Sequence, residues 1–387
     1  MRPRRLLLFT GAAATLAQSL QDVLTAQSAV LSTLNAWLAS QSLVFQILTN
    51  VQGVTLLAPS NNALSQLYST PLATQLASDP NLLTAFLSYH VLDGVYMMSD
   101  FTNAPVASMP TFLNMAGYSN VSGGQVVESR AQNGAVTFLT GNNAQSNVQT
   151  YDFNFVGGTL HIIDTVLTIP GSLTDTLIAG GLTAAVGALR RAGVETPLNT
   201  ASDVTVFVPS NDAFNAIGSL VNGMTLEQLT AVLNYHVVQG KVLYSQLIAA
   251  GTQLTAEGAS LNFRIQNGGL FVNSARVVAS DILVGNGVVH VVDGVLNPAN
   301  TTATPNPSAA TQEPAFNGAS SATGGVPFTS AVISTTTVAS PAGPTATPTA
   351  SAGPGSPAPV AVDAASGRKA AVGAAMLLCG AVVLANW

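Results

Sequence analysis

Charge is what this chain has least of. Only 7% of its 387 residues are Asp, Glu, Lys or Arg, against about 25% in ordinary globular domains. Five of its basic residues (Arg2, Arg4, Arg5, Arg368 and Lys369) sit at the two ends, and without them six basic residues face 17 acidic ones, a net charge of −11. Such a chain has no cationic footprint for a phosphate backbone, which excludes a nucleic-acid partner. Cysteine is almost missing as well: Cys379 stands alone in the C-terminal tail. No disulfide framework is available, and domains of this size bury enough core to do without one. Nor is there a nucleophile elbow, a phosphate-binding glycine loop or a zinc-ligand spacing. Gly123-Gly124 opens no helical pattern and reads as a loop.

The two ends read as addresses. Residues 1–17 combine a basic head, a short apolar stretch and small residues before Gln18. This is the pattern of a secretory signal peptide, with cleavage expected after Ala17. Residues 364–387 begin with the small residues Ala364, Ala365 and Ser366 and end in an apolar tail, the pattern of a glycosylphosphatidylinositol anchor signal. A membrane-spanning helix is the competing reading. Residues 370–387 would reach only about 27 Å. Arg368 and Lys369 also precede the tail, the wrong side for a helix that follows an exported domain. The anchor reading is therefore preferred.

Residues 299–363 are rich in Ser, Thr, Pro and Ala. Between Thr301 and Val360, 20 of 60 residues are Ser or Thr and Glu313 is the only charge. So little large apolar surface predicts an unfolded, O-glycosylated stalk. Two N-glycosylation sequons are present, at Asn120 and Asn300, while Pro307 spoils a third at Asn306.

What is abundant is self-similarity. Val54-Thr-Leu-Leu-Ala-Pro-Ser-Asn-Asn-Ala-Leu64 returns as Val204-Thr-Val-Phe-Val-Pro-Ser-Asn-Asp-Ala-Phe214. Leu87-Ser-Tyr-His-Val-Leu92 returns as Leu233-Asn-Tyr-His-Val-Val238. Gly158-Thr-Leu-His-Ile-Ile-Asp-Thr-Val-Leu167 returns as Gly287-Val-Val-His-Val-Val-Asp-Gly-Val-Leu296. Val54 to Ala58 and Val204 to Val208 read as central strands, and Ser60 and Ser210 as caps of the following helices. Asn81 to Ser88 and Leu226 to Leu233 read as helices. Asn133-Gly134, Asn267-Gly268 and Asn286-Gly287 read as hairpin turns. Helices first and a hairpin-rich sheet after give an α+β fold in each copy.

The three blocks together resemble the fasciclin-type domain, with one copy expected over residues 18–169 and another over 170–298. The first copy departs from the pattern at Leu64, where the family usually has Phe. His90 and His161 are 71 positions apart, against 54 between His236 and His290, so this copy carries 17 extra residues. They are expected as a longer hairpin or loop around Gly117 to Gln149 that tunes partner choice, while the second copy folds alone.

All four histidines fall in the repeated blocks. His161 and His290 are each followed three residues later by an acid, Asp164 and Asp293. A metal site or a catalytic pair is one reading. Two histidines per copy, no cysteine, and an acid on the opposite face of the strand favour a structural role. No metal and no cofactor are expected. The resemblance implies adhesion or receptor engagement near Tyr89-His90 and Tyr235-His236, against which core packing has to be weighed, since their neighbours read as buried.

The resulting expectation is a non-enzymatic adhesion protein at the cell surface or wall. It would be tethered to the membrane by a lipid anchor, with a surface or matrix protein, a glycan or a second copy of itself as partner. An alternative within the same resemblance is a vacuolar or endomembrane protein acting in membrane fusion. A wall-polysaccharide enzyme is the weakest reading, because glycoside hydrolysis needs two carboxylates about 5–9.5 Å apart and the acids here are scattered singly.

Overall fold

A computed structural model describes residues 18–329, apart from 41, 222, 250, 252, 257 and 258. The signal-peptide and anchor readings, with the stalk beyond Thr329, lie outside the described residues. In the first copy the helices are α1 Leu20–Ala26, α2 Ser28–Ser40, α3 Ser42–Asn50, α4 Asn61–Tyr68, α5 Pro71–Ser78, α6 Pro80–Tyr89 and α7 Met98–Asn103. Its strands are β1 Val54–Pro59, β2 Val91–Asp93, β3 Val106–Pro110, β4 Val126–Gln132, β5 Ala135–Leu139, β6 Gln145–Phe155 and β7 Gly158–Ile163. The second copy has helices α8 Leu173–Ala179, α9 Thr183–Ala192, α10 Glu195–Thr200, α11 Asn211–Ala216, α12 Gly218–Val221 and α13 Leu226–Tyr235. Its strands are β8 Val204–Pro209, β9 Val237–Val238, β10 Gln253–Ala256, β11 Ala259–Gln266, β12 Gly269–Val272, β13 Ala275–Val284 and β14 Gly287–Val292. Each copy is α+β, and the sheet orders β2-β1-β7-β6-β5-β4-β3 and β9-β8-β14-β13-β12-β11-β10 match strand for strand.

Local chemistry accounts for the elements. Strands β1 and β8 are buried at every position, as continuous apolar runs with neighbours on both sides require. Each pairs antiparallel with the short strand after the Tyr-His block and parallel with the closing strand. Ser60 and Ser210 cap the following helix, their Oγ atoms accepting from Ala63 N (3.3 Å) and Ala213 N (3.1 Å). Asn133-Gly134 and Asn267-Gly268 all have positive φ, the geometry of a two-residue hairpin turn. The third expected turn is shifted by one residue. Val284 pairs with Gly287, so Gly285-Asn286 form the turn and Gly287 opens β14.

Gly287 does something other than turn the chain. Its φ is +156°, and a Cβ there would run into the Val204 carbonyl. In the first copy a Cβ on Gly158 would meet the Val54 carbonyl in the same way. The glycine that opens each closing block lets two parallel strands start in register.

The structure narrows the expected insertion around Gly117 to Gln149 and divides it in two. Strands β4 and β5 have direct counterparts in β11 and β12, so residues 126–139 are the common hairpin. Most of the extra chain is residues 111–125, between β3 and β4, where the second copy has only residues 257 and 258 between β10 and β11. A smaller part is residues 140–144, between β5 and β6.

The stalk expectation also needs correcting over its first part. Residues 301–329 form no regular element, but Phe316, Ala319, Val326 and Phe328 join the second copy's apolar core. The composition of 60 residues averages away these few anchors, and a few well-seated apolar side chains can hold a short segment.

Two glycine substitutions should separate close approach from turn geometry. Gly268→Ala, at φ +72° with open space around it, should cost about 1–2 kcal/mol. Gly287→Ala should cost about 3 kcal/mol or more, because β8 and β14 must part. Urea midpoints at constant m-value measure both; equal losses would remove the close-approach argument.

Candidate functional site

The repeated blocks converge on two buried histidine sites per copy. His90 ends α6 and His236 ends α13, each as the C-cap residue. The Nδ1 of His90 lies 2.7 Å from Phe86 O, and its Nε2 lies 2.9 Å from Leu167 N. For His236 the same atoms meet Val232 O at 2.7 Å and Leu296 N at 2.9 Å. Only one tautomer serves both contacts: Nδ1–H donates to the carbonyl and Nε2 accepts the amide. A neutral ring thus ties the end of a helix to the chain beyond the closing strand. Burial pushes both histidines down to about 4, against a backbone hydrogen bond that acts to raise them.

His161 and His290 use the mirror-image tautomer. Nε2 donates to Tyr96 O and Leu243 O, each at 2.7 Å. Nδ1 accepts from the amides of Asp152 (3.2 Å) and Asp281 (3.4 Å). Burial, the largest influence, lowers both rings. The acid beside each closing histidine is therefore Asp152 or Asp281, not Asp164 or Asp293. Asp152 and Asp281 sit at register shifts in β6 and β13 with φ of +63° and +61°. Asp152 Oδ1 accepts from Met98 N at 2.8 Å, and Asp281 accepts from Ser245 N at 2.7 Å and from Ser245 Oγ. Both stand nine residues before the histidine, a periodic signal that comparison of the two copies carries.

Asp164 and Asp293 have another task. Asp164 accepts from the amide and side chain of Asn147, both at 2.8 Å, and Asp293 Oδ1 accepts from Arg276 N at 2.7 Å. They fasten the end of the closing strand to its neighbour. Among the described residues no group of three His, Cys, Asp or Glu side chains could hold a metal ion. With both ring nitrogens of each of the four histidines engaged by backbone, the arrangement holds the fold together and leaves no free imidazole.

The expectation of adhesion contacts at Tyr89-His90 and Tyr235-His236 meets buried side chains, 0–2% exposed. Tyr89 OH donates to Val126 O (2.9 Å), and Tyr235 OH donates to Ser260 O (3.0 Å). These helix ends face the sheet, so a partner cannot reach them without unfolding.

The first copy's insertion is not a free loop either. Asn120 N donates to Gly285 O at 2.8 Å, and Asp203 N returns a bond to Asn120 O at 3.1 Å. Ser122 N and Oγ donate to the two carboxylate oxygens of Asp203 at 2.7 and 2.6 Å. Buried Gln125 donates to Val284 O at 3.0 Å. Apolar contact between Val126 of the first copy and Tyr244, Leu283 and Val288 of the second completes a seam. The sequon residue Asn120 stays exposed at its edge, and Asn300 lies beside the second copy with Nδ2 3.2 Å from Ala315 O.

Glu128, which sequence reasoning passed over, lies on β4 near this seam and is 1% exposed. Arg130 Nε donates to Oε1 at 2.7 Å, while Oε2 has no hydrogen-bond partner among the described residues. Burial raises this carboxyl to about 7; the neighbouring charge of Asp281 adds to the rise and Arg130 opposes it. Its signal in sequence was an acid inside the apolar run Val126-Val127-Glu128.

The Fasciclin domain family model matches residues 29–170 and 180–298. A fasciclin-like arabinogalactan protein of Arthroderma benhamiae is 36% identical over 310 residues, 78% of this chain and 73% of that one. Another, of Cercospora beticola, is 32% identical over 73% of this chain and 77% of its own length. Among solved structures, the FAS1 domain pair of the insect cell adhesion molecule fasciclin I covers 66% of this chain and 92% of its own at 18% identity, with a TM-score of 0.33. The fold described above rests on this chain's own strand pairing.

Two opposed pH dependences follow from the buried groups. His90 and His236 bind a proton less readily folded than unfolded. Their contribution is complete above about pH 6.5 and is lost as the pH falls through about 4, roughly 3 kcal/mol each. Glu128 has the opposite sign: its contribution is complete below about pH 4.5 and is lost as the pH rises through about 7. Urea unfolding from pH 4 to 9 should show both limbs. Glu128→Gln should remove the decline of about 2–3 kcal/mol on the alkaline side and leave the acid limb in place; an unchanged alkaline limb would clear Glu128 of the effect.

Proposed function

Since the chain belongs to the fasciclin-domain family, we propose that it is a cell-surface or cell-wall protein that acts by presenting two such domains to a matrix component, and not by turning over a substrate. The observation that carries this reading is the breadth of the fungal likeness. Relatives named fasciclin-like arabinogalactan proteins align with 73–78% of this chain, a span that needs both copies. The buried histidines support it from within, because the four best general bases are committed to backbone atoms.

A presenting protein needs exposed contact surface, and this one has it in a form that avoids charge. Tyr68, Tyr151, Leu226, Leu247 and Ile265 are each at least half exposed, and aromatic faces of this kind suit weak contacts with sugars or apolar protein surface. Two domains held in one body add their weak contacts into a stronger attachment. A wall glycan, a matrix protein or another copy of this chain fits that chemistry. The export signal and lipid anchor read from the ends would place the pair on the outer face of the cell.

Cells lacking the gene should attach to wall-coated surfaces or to one another at least twofold less, and His290→Ala should separate fold from contact. With one partner of a buried hydrogen-bonded group removed, the variant should lose about 1–3 kcal/mol of stability yet restore attachment per folded molecule. Unchanged attachment in the deletion strain would remove the adhesion reading. A stably folded His290→Ala protein that fails to attach would place the contact at the histidine. Phosphatidylinositol-specific phospholipase C should release the protein from membranes, and retention beside a released anchored control would remove the lipid anchor.

A further inference from the structure

A segment beyond β14 lies across the helical face of the second copy. Phe328 sets its ring edge-on to Phe214, with centroids 5.9 Å apart and planes at 88°. The Arg191 guanidinium lies 5.5 Å from the centre of the same ring, within cation–π range. Beside it Pro327 is buried. Phe328 has φ +67°, uncommon for a bulky side chain and kept only where the surroundings determine it. Upstream, Ala322 N donates to Asn215 O (3.0 Å), Ser219 N to Ser320 O (3.0 Å) and Ser320 N to Ser219 Oγ (2.9 Å). The segment is thus held by two backbone bonds, a serine hydroxyl and an aromatic anchor.

The receiving face is shaped for it by two helical glycines. A Cβ on Gly187, inside α9, would collide with the Phe328 carbonyl and stand 2.8 Å from Phe328 Cβ. A Cβ on Gly218, which opens α12, would collide with Ala322 Cβ and stand 2.7 Å from its Cα. Glycine inside a helix is unfavourable relative to alanine, so a close approach explains it here. The first copy lacks these adaptations. The bond from Ala184 N to Asn211 Oδ1 repeats that from Thr33 N to Asn61 Oδ1, which aligns Gly187 with Ala36, Phe214 with Leu64 and Gly218 with Tyr68. Ala36 is exposed and Tyr68 is 57% exposed, so no described residue covers that face at these two positions.

We propose that the groove between α9, α11 and α12 is a peptide-binding site for a segment of turns and bends that is rich in small residues and ends in an aromatic anchor, and that residues 314–329 of this chain are its resident ligand. The short connection from Leu296 keeps the segment at a high effective concentration, so a competing peptide meets an occupied site. Anything that pulls on the chain beyond Thr329 loads the helical face through Phe328 before it reaches β14.

A full-length protein with a protease site inserted between Ala303 and Thr304 tests this. After cutting, the C-terminal fragment should co-elute with the body on native gel filtration, and a Phe328→Ala version should separate. A labelled peptide of residues 314–329 should bind cut protein freed of its own fragment, at least tenfold more tightly than the same peptide carrying Phe328→Ala, and should not bind the intact chain. In the uncut protein, Gly187→Ala and Gly218→Ala should each speed proteolysis within 314–329 at least tenfold while far-ultraviolet circular dichroism is kept. If Gly187→Ala does not fold, Phe328→Ala, which alters only the ligand, reports the same release. A fragment that dissociates on cutting, or proteolysis unchanged in all three variants, would overturn the proposal.

Discussion

An uncharged imidazole in a dry interior, donating from one nitrogen and accepting at the other, is the interaction on which each copy depends. In the first copy His90, bonded to Phe86 O, reaches Leu167 N, 77 positions further along the chain. In the second, His236, bonded to Val232 O, reaches Leu296 N, 60 positions further along. Burial makes the bond strong and also makes it conditional. A second proton would turn the acceptor nitrogen into a donor aimed at an amide N–H, and a buried unpaired donor is costly. His161 and His290 apply the same logic with the opposite tautomer to the bulge in the neighbouring strand.

This explains why the most recognisable residues of the repeat are its least accessible. A motif that recurs because the fold needs it reads, in sequence, much like one that recurs because a partner needs it. The Tyr-His pairs carry features of both kinds, a polar tip and apolar neighbours, and only their position under the sheet separates the two. The strands, the serine caps and two of the three Asn-Gly turns were legible because local chemistry alone determines them. The place of the insertion was legible in principle: Asn133 follows His90 by 43 positions while Asn267 follows His236 by 31, so 12 of the 17 extra residues precede the turn. Counting only from histidine to histidine discards that landmark. The partnership of His161 with Asp152 was harder, since a bulge with positive φ brings the acid's backbone, not its carboxylate, to the ring.

The scarcity of charge has a structural counterpart at the join between copies. The insertion reaches the second copy through main-chain bonds at Asn120 and through a paired clasp of Ser122 on Asp203. Gln125, fully buried, spends its amide on Val284 O. Bonds of this kind hold two domains in one orientation without the flexibility of long charged side chains. Glu128 is the exception, and its tendency to hold a proton follows first from burial, with the nearby charge of Asp281 adding to it and its one partner, Arg130, opposing it. A pair of domains fixed in this way offers one composite surface and not two independent ones.

The two copies have consequently diverged in what their helical faces do. Duplication gives each copy the same face, built on α2 and α4 in one and on α9 and α11 in the other. In the first copy the chain runs from Ile169 almost directly into α8 and leaves no tail to lie across that face. In the second the chain continues past β14 into a segment that does. Once a segment lies there, Gly187 and Gly218 relieve its backbone, and Phe214 meets an aromatic ring where Leu64 only fills a core. The departure of Leu64 from the family pattern is then less a weakness of the first copy than the form this position takes where no strap has to be received. Among the described residues, the helical face of the first copy is the uncovered one of the two, and it carries exposed Tyr68.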